Sequence, residues 1–335
     1  MTRRSVTLTL FCLINLAALP LAAQRSDESL SYKHRHMADH MADHMAGGDD
    51  DDQPAIDTTI PFANSGGVVD LSLISGEITV TGWSRAEARI HVTSDDDETP
   101  VHFEHGPDRI LLDARRGGGH RHNDGGDVNY DLTVPVGTRV IMHSTSGDLH
   151  ARGTHGEVEA RSISGDVVVD DATHGATLES VSGNVQARTI TGDVRARSVS
   201  GDVDLDDVTG DITLSSVSGH GYVTASRSRV VRLESVSGDL SYGGSLDPSG
   251  TYDFRAHSGN INLQLPADVG ASLSVDTFSG DIQTDFPLTI QPNSDNGPPR
   301  HHIDTTLGRG GAHVTISTFS GDIELRRAGS RSHSG

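Results

Sequence analysis

Residues 198–217 read SVSGDVDLDDVTGDITLSSV, and this stretch predicts the fold. Val203 and Leu205 alternate with polar residues. Ile212 and Leu214 repeat the alternation after the next glycine. Alternation of this kind is typical of a β-strand with one buried face. Each run is short and ends at a glycine-containing turn, so no apolar stripe of helical period survives. The stretch therefore predicts two short strands and excludes a helix.

The same unit recurs along the middle of the chain every 18 residues. Its strongest element is a Ser-Gly pair followed by a polar residue, and the pairs are Ser146-Gly147, Ser164-Gly165, Ser182-Gly183, Ser200-Gly201, Ser218-Gly219 and, after a one-residue slip, Ser237-Gly238. Repeats of this kind usually stack as supersecondary units. We therefore predict an all-β protein, a flattened β-solenoid with about two short strands per 18-residue coil and modified β caps at both ends.

Charged residues within the repeat predict how the coils stack. The fifth residue after each strong glycine alternates in charge along the repeats: Arg152, Asp170, Arg188 and Asp206. An equivalent position in the other strand also alternates until a serine ends the series: Arg161, Glu179, Arg197 and Ser215. Strands stacked in register lie about 4.8 Å apart. Opposite charges at that spacing stabilise a pair by about 0.2–1 kcal/mol. The alternation thus favours parallel stacking of residue i on residue i+18.

The start of the chain predicts a secretory signal peptide. Arg3 and Arg4 form a basic start, an apolar stretch too short to span a bilayer follows, and Ala22-Ala23 offer a cleavage site. The predicted organisation is a signal peptide at 1–23, a disordered His/Asp-rich leader at 24–53, an N-terminal β region and cap at 54–140, the regular solenoid at 141–249, a C-terminal β region and cap at 250–327 and a disordered tail at 328–335. Loops are predicted at 116–127 and 291–312.

Composition narrows the class of protein. The chain has 335 residues, 47 acids against 26 bases and a formal net charge of −21, which disfavours nucleic acid and anionic lipid surfaces as partners. Cys12, inside the predicted signal peptide, is the one cysteine, so the exported chain would have no disulfide and no thiol nucleophile. No second apolar run of membrane length follows. These features predict a protein exported to the periplasm or the extracellular space.

Longer strings carry a resemblance to a known family. The stretch VPVGTRVIMHSTSGDLHARGTHGEVEARSISGDV begins at residue 134, tandem SVSGDV units follow it, and GEITVTGW precedes it at residues 76–83. These strings resemble the bacterial "putative adhesin" family of exported β-strand-repeat domains of unknown function. The resemblance covers roughly residues 60–327. It implies the fold and export, and it supplies no catalytic residues.

The polar residues after the strong glycines are candidate ligands for a cation. Asp148, Asp166, Asp202 and Asp239 would line one edge of the stack, and oxygen-rich rows attract Ca²⁺. The alternative is that the Asp and Ser side chains satisfy backbone amides in the turn, beside a glycine of positive φ. Asn184 and His220 interrupt the row, and the motif departs from the known Ca²⁺-binding nonapeptide, so the turn role is favoured. We therefore predict no cofactor, with Ca²⁺ as the alternative; Asp193 and Asp211 form a second, weaker row.

Histidines and the single tryptophan are further candidates. The leader spaces His36, His40 and His44 four apart among aspartates, which suits Zn²⁺ or Ni²⁺ on a helix and equally suits a disordered linker. Other histidines fall in the two predicted loops, namely His120, His122, His301 and His302. Trp83 closes a strand, where it either covers the end of the core or stacks on a sugar.

The pattern predicts a non-catalytic interaction protein of the envelope or the extracellular space. Repeated strand faces rich in Ser, Thr, Asp and Arg suit a glycan or a protein partner. The alternative is a Ca²⁺-binding envelope protein that uses the Asp edge. A carbohydrate-active enzyme on a β-helix is a more distant alternative, because no long loop interrupts the repeats to build a pocket and no nucleophile elbow is present. The repeat itself selects neither the partner nor an oligomeric state.

Overall fold

The computed structural model describes residues 55–63, 65–95, 101–114, 126–287 and 301–328. The predicted signal peptide, the leader, the C-terminal tail, and His120 and His122 lie outside these residues. The described residues form strands, turns and bends without a helix. Accordingly, none of them belongs to a helix long and apolar enough to cross a membrane. This architecture confirms the prediction of an all-β flattened solenoid.

The regular array stacks coils in parallel, each coil contributing one strand to each of two opposite sheet faces. Face A contains β9 (Asp148–Arg152), β11 (Val167–Ala172), β13 (Val185–Thr191) and β15 (Val203–Thr209). Face B contains β8 (Gly137–His143), β10 (Val158–Ser162), β12 (Ala176–Ser180), β14 (Val194–Arg197) and β16 (Ile212–Ser216). Val167 lies opposite Leu149 on one side and Val185 on the other, which confirms the 18-residue register.

One inward position of each strand alternates in size from coil to coil, and this helps to fill a thin core. Ala187 on face A and Ala196 on face B share one coil, while Leu205 and Leu214 occupy the same positions in the next, and all four are buried. Interiors are packed nearly as densely as organic crystals. Small coils between large ones let the side chains interdigitate without aromatic residues, which agrees with the low aromatic content of 4 %.

The coils widen after the regular array. Strands β17 (Gly221–Ser235) and β18 (Leu240–Ala256) each run from face A around to face B. The larger interior is filled by Tyr242, Tyr252 and Phe254. The ring centroid of Tyr242 lies 6.1 Å from that of Tyr252 and 5.4 Å from that of Phe254. The Tyr252 hydroxyl donates to the Ser228 carbonyl at 2.6 Å, and the Tyr242 hydroxyl contacts the Ser226 hydroxyl at 3.1 Å. Burial raises the pKa of Tyr242, so its hydroxyl stays neutral.

At the N-terminal end the chain stacks its coils out of sequence order. The strands are β1 (Ile56–Pro61), β2 (Ser65–Ser72), β3 (Gly76–Trp83), β4 (Glu87–Ser94), β5 (His102–His105), β6 (Arg109–Asp113) and β7 (Val128–Pro135). Strand β2 lies between β6 and β8, and β3 lies between β7 and β9. The coil formed by β2 and β3 is therefore inserted between two coils that follow it in sequence.

The C-terminal end shows the same kind of insertion. Its strands are β19 (Ile261–Leu265), β20 (Ala271–Ser279), β21 (Ile282–Thr284), β22 (His301–Leu307), β23 (Ala312–Ser320) and β24 (Ile323–Arg327). Strand β23 lies between β18 and β20, and β24 lies between β19 and β21. The last coil in sequence is thus the second to last in space.

Antiparallel strands cover three of the four sheet ends. On face A, β4 pairs with β7 and β1 pairs with β4; on face B, β5 pairs with β6 and β22 pairs with β20. The prediction of a loop throughout 291–312 is wrong at residues 301–307, and His301 and His302 lie in strand β22. This strand alternates Ile303, Thr305 and Leu307 toward the interior with more polar residues, and its pairing with β20 decides its conformation.

Candidate interaction surfaces

The polar residues after the strong glycines form a ladder of hydrogen bonds between coils. Each side chain accepts a hydrogen bond from the backbone amide of the equivalent residue in the next coil, at 2.6–3.1 Å. The accepting side chains, in order along the stack, are Asp148, Asp166, Asn184, Asp202, His220, Asp239, Asn260 and Asp322. The ladder thus carries one acceptor per coil and reaches into the inserted C-terminal coil.

This ladder bears on the predicted cation ligands. Asn184 and His220 perform the same function as Asp166 and Asp202, so the position requires an acceptor and not a negative charge. Each aspartate in the ladder commits one carboxylate oxygen to an amide. The described residues contain no group of three or more His, Asp or Glu side chains placed to hold a metal ion. Binding of Ca²⁺ at this edge stays a prediction.

A buried serine completes each turn beneath the ladder. Ser180 is 3 % exposed; its hydroxyl donates to the Gly165 carbonyl of the preceding coil and accepts from the Gly183 amide. Equivalent contacts occur at Ser162 and Ser198. A hydroxyl suits this position because it both donates and accepts. The first serine of the S-x-S-G motif is therefore a structural residue of the turn.

The glycines of this turn are needed for close approach and not for a positive φ. A Cβ atom on Gly183 would lie 2.1 Å from the Gly165 carbonyl oxygen, whereas the backbone there has no left-handed φ. The weaker motif differs, since Gly192 and Gly210 adopt φ of +113° and +151°. The expectation that the strong glycines have positive φ is wrong; backbone contact between coils requires them instead.

The residue between the two serines points to solvent and is apolar in most coils. The serine that follows it donates its backbone amide to the carbonyl of the equivalent residue in the neighbouring coil. We call this row of residues the edge ridge, and its first five members along the stack are Ile74, Thr145, Ile163, Val181 and Val199. Ile74 and Ile163 are each 51 % exposed and Val181 is 42 % exposed.

The edge ridge ends in stacked rings at the C-terminal end. Its remaining members are Val217, Val236, His257, Phe319 and Phe278. The rings of His257 and Phe319 stack at 5.1 Å, and those of Phe319 and Phe278 stack at 4.9 Å and 4°. Scattered exposed apolar residues are normal on proteins, but a contiguous apolar strip of this length marks an interaction surface. The sequence analysis did not identify this ridge, although the repeated apolar residue in S-x-S-G was visible.

A row of charged residues on face B flanks the edge ridge two residues earlier in each coil. We call it the charged row, and the strand register aligns its members as His143, Arg161, Glu179, Arg197, Ser215, Glu234, Arg255, Ser317 and Asp276. Arg161 contacts Glu179 at 3.4 Å and Arg255 contacts Glu234 at 3.7 Å. On face A, Arg152 contacts Asp170 at 3.3 Å. The predicted in-register alternation of charge is confirmed.

The outer surface of face B also holds a polar groove near its C-terminal end. The groove has a volume of about 520 Å³ and lies across β20, β22 and β23. Its outward polar side chains are Ser272, Ser274, Asp304, Thr306, His313 and Thr315. Hydroxyl, carboxylate and imidazole groups of this kind can donate and accept hydrogen bonds toward a hydroxyl-rich ligand. Sequence analysis missed the groove because β22 was expected to be a loop.

A histidine held by two carboxylates lies beside this groove. His302 Nδ1 lies 2.6 Å from Asp276 and its Nε2 lies 2.9 Å from Asp304. These hydrogen bonds, with Asp304 first, raise the pKa of His302. Hydrogen bonds from Ser274 and His302 lower the pKa of Asp304. The cluster ties β22 to β20, and the two carboxylates contact opposite sides of the ring, which does not suit a shared metal.

The remaining predicted residues have structural positions. Trp83 is partly exposed; its indole donates to the Glu87 carbonyl at 2.7 Å and Arg85 lies over its ring at 5.0 Å. The expectation that it closes the core is therefore wrong. Asp193 accepts from the Asp211 amide, and Asp211 from the Val230 amide. The histidines of the leader lie outside the described residues.

Comparison with known proteins bears on the family. The model of the family described as Toastrack DUF4097 matches residues 121–247 and 208–326. The chain belongs to this family. This confirms the resemblance drawn from the repeat to an adhesin-like family of unknown function. A crystal structure of a "putative cell adhesion protein" from Clostridium sporogenes is similar, with 11 % identity, 82 % of this chain and 100 % of that chain covered and a TM-score of 0.28. No curated protein matches.

Proposed function

We propose that this Toastrack chain is a non-catalytic interaction protein of the envelope or the extracellular space that binds a glycan. The observation that carries the proposal is the groove across β20, β22 and β23, which lines about 520 Å³ with hydroxyl groups beside one carboxylate and one imidazole. Ligand sites use a small number of placed polar groups to fix orientation. A sugar presents hydroxyl groups that such a lining can bind in both senses, as donor and as acceptor.

The arrangement favours binding over catalysis. Glycoside hydrolysis needs two carboxyl groups facing the same bond, about 5–10 Å apart. In the groove Asp304 is the one acidic residue of the lining, and its carboxylate is engaged by His302. The groove is also open, at the surface of an antiparallel end of the sheet. A glycan strand extending beyond the groove would meet the regular polar rows of face B.

Obstruction of the groove tests this proposal. Thr315→Arg places a long side chain in the lining, and Thr177→Arg makes the same change at an outward position of face B in the regular array. We expect the parent protein and the Thr177→Arg variant to bind an immobilised envelope polysaccharide equally, and Thr315→Arg to bind about 10-fold more weakly. Absence of binding to every glycan and envelope fraction tested would contradict the function. Equal loss in both variants would contradict the groove as its site.

Export is a separate part of the proposal and has its own test. The basic start, short apolar stretch and small residues before position 24 support cleavage by a signal peptidase. Mass spectrometry of the protein from culture medium and from the periplasmic fraction should find a chain that begins at Gln24. Recovery of the uncleaved chain from the cytoplasm alone would show that this part of the proposal is wrong.

A further inference from the structure

The edge ridge gives this chain a surface that matches a second copy of itself. Its side chains repeat at the strand spacing of about 4.8 Å. An extended peptide repeats its side chains on one face about every 6.8 Å, and a helix about every 5–6 Å, so neither keeps contact with successive ridge positions. A second solenoid has the same repeat, so every ridge side chain can meet an equivalent neighbour.

The charged row beside the ridge is complementary to itself when it is reversed. We propose that two copies pair edge to edge and antiparallel about a two-fold axis at Val217. In this register Val217 meets its own copy and Val199 meets the partner's Val236. Beside them, Arg197 faces the partner's Glu234, and Glu179 faces the partner's Arg255. Ser215, at the centre of the charged row, faces its own copy, so the axis carries no repulsion.

Neighbouring registers are disfavoured by the same charges. A shift of one coil in one direction brings Arg197 opposite the partner's Arg255, and a shift in the other brings Glu179 opposite the partner's Glu234. Like charges placed opposite each other destabilise an interface. Charge therefore disfavours both one-coil shifts of the proposed register. An antiparallel pair is two-fold symmetric and closes at two copies, whereas a parallel, staggered pairing along a periodic edge would not close.

The size of the surface agrees with a stable pair. In this register nine of the ten ridge residues meet a partner residue, and with one serine and one charged-row residue beside each this makes about 27 residues per copy, within the roughly 20–30 of a standard interface. The net charge of −21 opposes association. At about 0.15 M salt, charges more than about 8 Å apart are largely screened, which weakens this repulsion.

Two valines of equal exposure provide the first test. Val236 lies in the ridge directly after β17, Val230 lies within β17 and outside the ridge, and both are 39 % exposed. Sedimentation velocity of the purified protein at about 0.15 M salt should show a dimer. Because a two-fold interface contains each substitution twice, Val236→Asp should raise the dimer Kd on the order of 100-fold. Val230→Asp should leave the Kd unchanged, and thermal melting should show both variants folded.

A charge exchange tests the register. Arg197→Glu and Glu234→Arg each place like charges across the proposed interface, so each variant should dimerise about 10-fold more weakly. The double variant R197E/E234R restores opposite charges between copies and should regain the parent Kd. Within one copy the same exchange only adds like charges beside Glu179 and Arg255, so recovery cannot come from improved folding.

Three results would overturn the inference. One is a parent protein that stays monomeric up to about 100 µM, well above the Kd of a standard interface. Another is an equal effect of the two valine substitutions. The last is growth to species larger than a dimer, which would indicate an interface that does not close. A double variant that is no better than the single variants would overturn the register. Glycan binding at the groove is measured separately and does not depend on any of these outcomes.

Discussion

In the regular array, each coil lies on the coil that precedes it in sequence. At both ends, by contrast, two coils that are consecutive in sequence are separated in space by a third coil inserted between them. Val167 and Val185 are neighbours in space because they are 18 residues apart. At the C-terminal end, Ile261 and Ile282 both pair with Ile323. The difference shows that local repeats are sufficient to set register, while the order of coils at the ends depends on contacts distant in sequence.

Substitutions that disturb the backbone contact between coils should have the largest effect on stability. This effect should be similar in the array and at the ends, because both regions share the contact. Gly183→Ala in the array and Gly259→Ala near the end would each place a Cβ about 2 Å from a carbonyl oxygen of the adjacent coil. Such overpacking against backbone should lower the free energy of unfolding by about 3 kcal/mol in both. Gly106→Ala, where the nearest atom is 3.9 Å away, is the control. Denaturant unfolding measures all three, and a tolerated Gly259→Ala would mean that the ends stack differently.

The buried serine should have the next largest effect. Ser180→Ala removes the acceptor for the Gly183 amide and the donor to the Gly165 carbonyl. Leaving buried polar groups unpaired costs about 1–3 kcal/mol. Ser182→Ala removes an exposed serine from the same turn and should change stability by less than about 0.5 kcal/mol. Equal effects of the two substitutions in urea denaturation would contradict the structural role of the first serine.

A strained corner should respond in the opposite direction. Thr189 has φ of +55°, and the equivalent corner residues Asp171 and Asp207 have φ of +56° and +50°. A β-branched residue is unfavourable in the left-handed region, where Asn and Asp are more common. Thr189→Asn should therefore stabilise the array by about 0.5–1 kcal/mol, measured as a rise in Tm. Thr191→Asn, at an ordinary strand position of the same element, should give no such rise.

The antiparallel end should show a pH dependence that its histidine cluster sets. The pKa of His302 is raised, so its contribution to stability is present at low pH and is lost as pH rises through that raised pKa. The pKa of Asp304 is lowered, so its contribution is lost as pH falls through that lowered pKa. The difference in the free energy of unfolding between the parent and His302→Gln, measured by urea denaturation, should therefore peak between these two pKa values, at no more than about 1 kcal/mol. A difference that does not vary with pH would contradict the ion cluster.

Added Ca²⁺ should have the smallest effect on stability of all these changes. A ligand at about 100 times its Kd adds about 2.7 kcal/mol to stability. Because each ladder carboxylate already accepts an amide, we expect the melting curve in millimolar Ca²⁺ to coincide with that in EDTA. A clear rise in Tm with Ca²⁺ that is lost in Asp202→Asn would favour a cation site at Asp148, Asp166, Asp202 and Asp239.

The sequence by itself determined the architecture of the array. A glycine every nine residues excludes a helix, alternation sets the inward face, and charges spaced 18 apart require parallel stacking, as the opposition of Arg161 and Glu179 shows. These signals are local or strictly periodic, so one chain carries them without a partner. The serines and aspartates of the turn were identified for the same reason, although the glycines proved to serve close contact.

Only the tertiary structure decided the features that depend on which coils become neighbours. Strand β22 has a sequence that predicts a loop, and it forms because β20 offers an unpaired edge. The groove on face B and the His302 cluster exist only through that pairing. The edge ridge depends on both the sequence and the tertiary structure. The apolar residue in S-x-S-G is visible in most repeats, but its exposure follows from the turn, which directs it outward. The stack of Phe319 on Phe278 follows from the insertion of the last coil, because 41 residues separate the two rings in sequence.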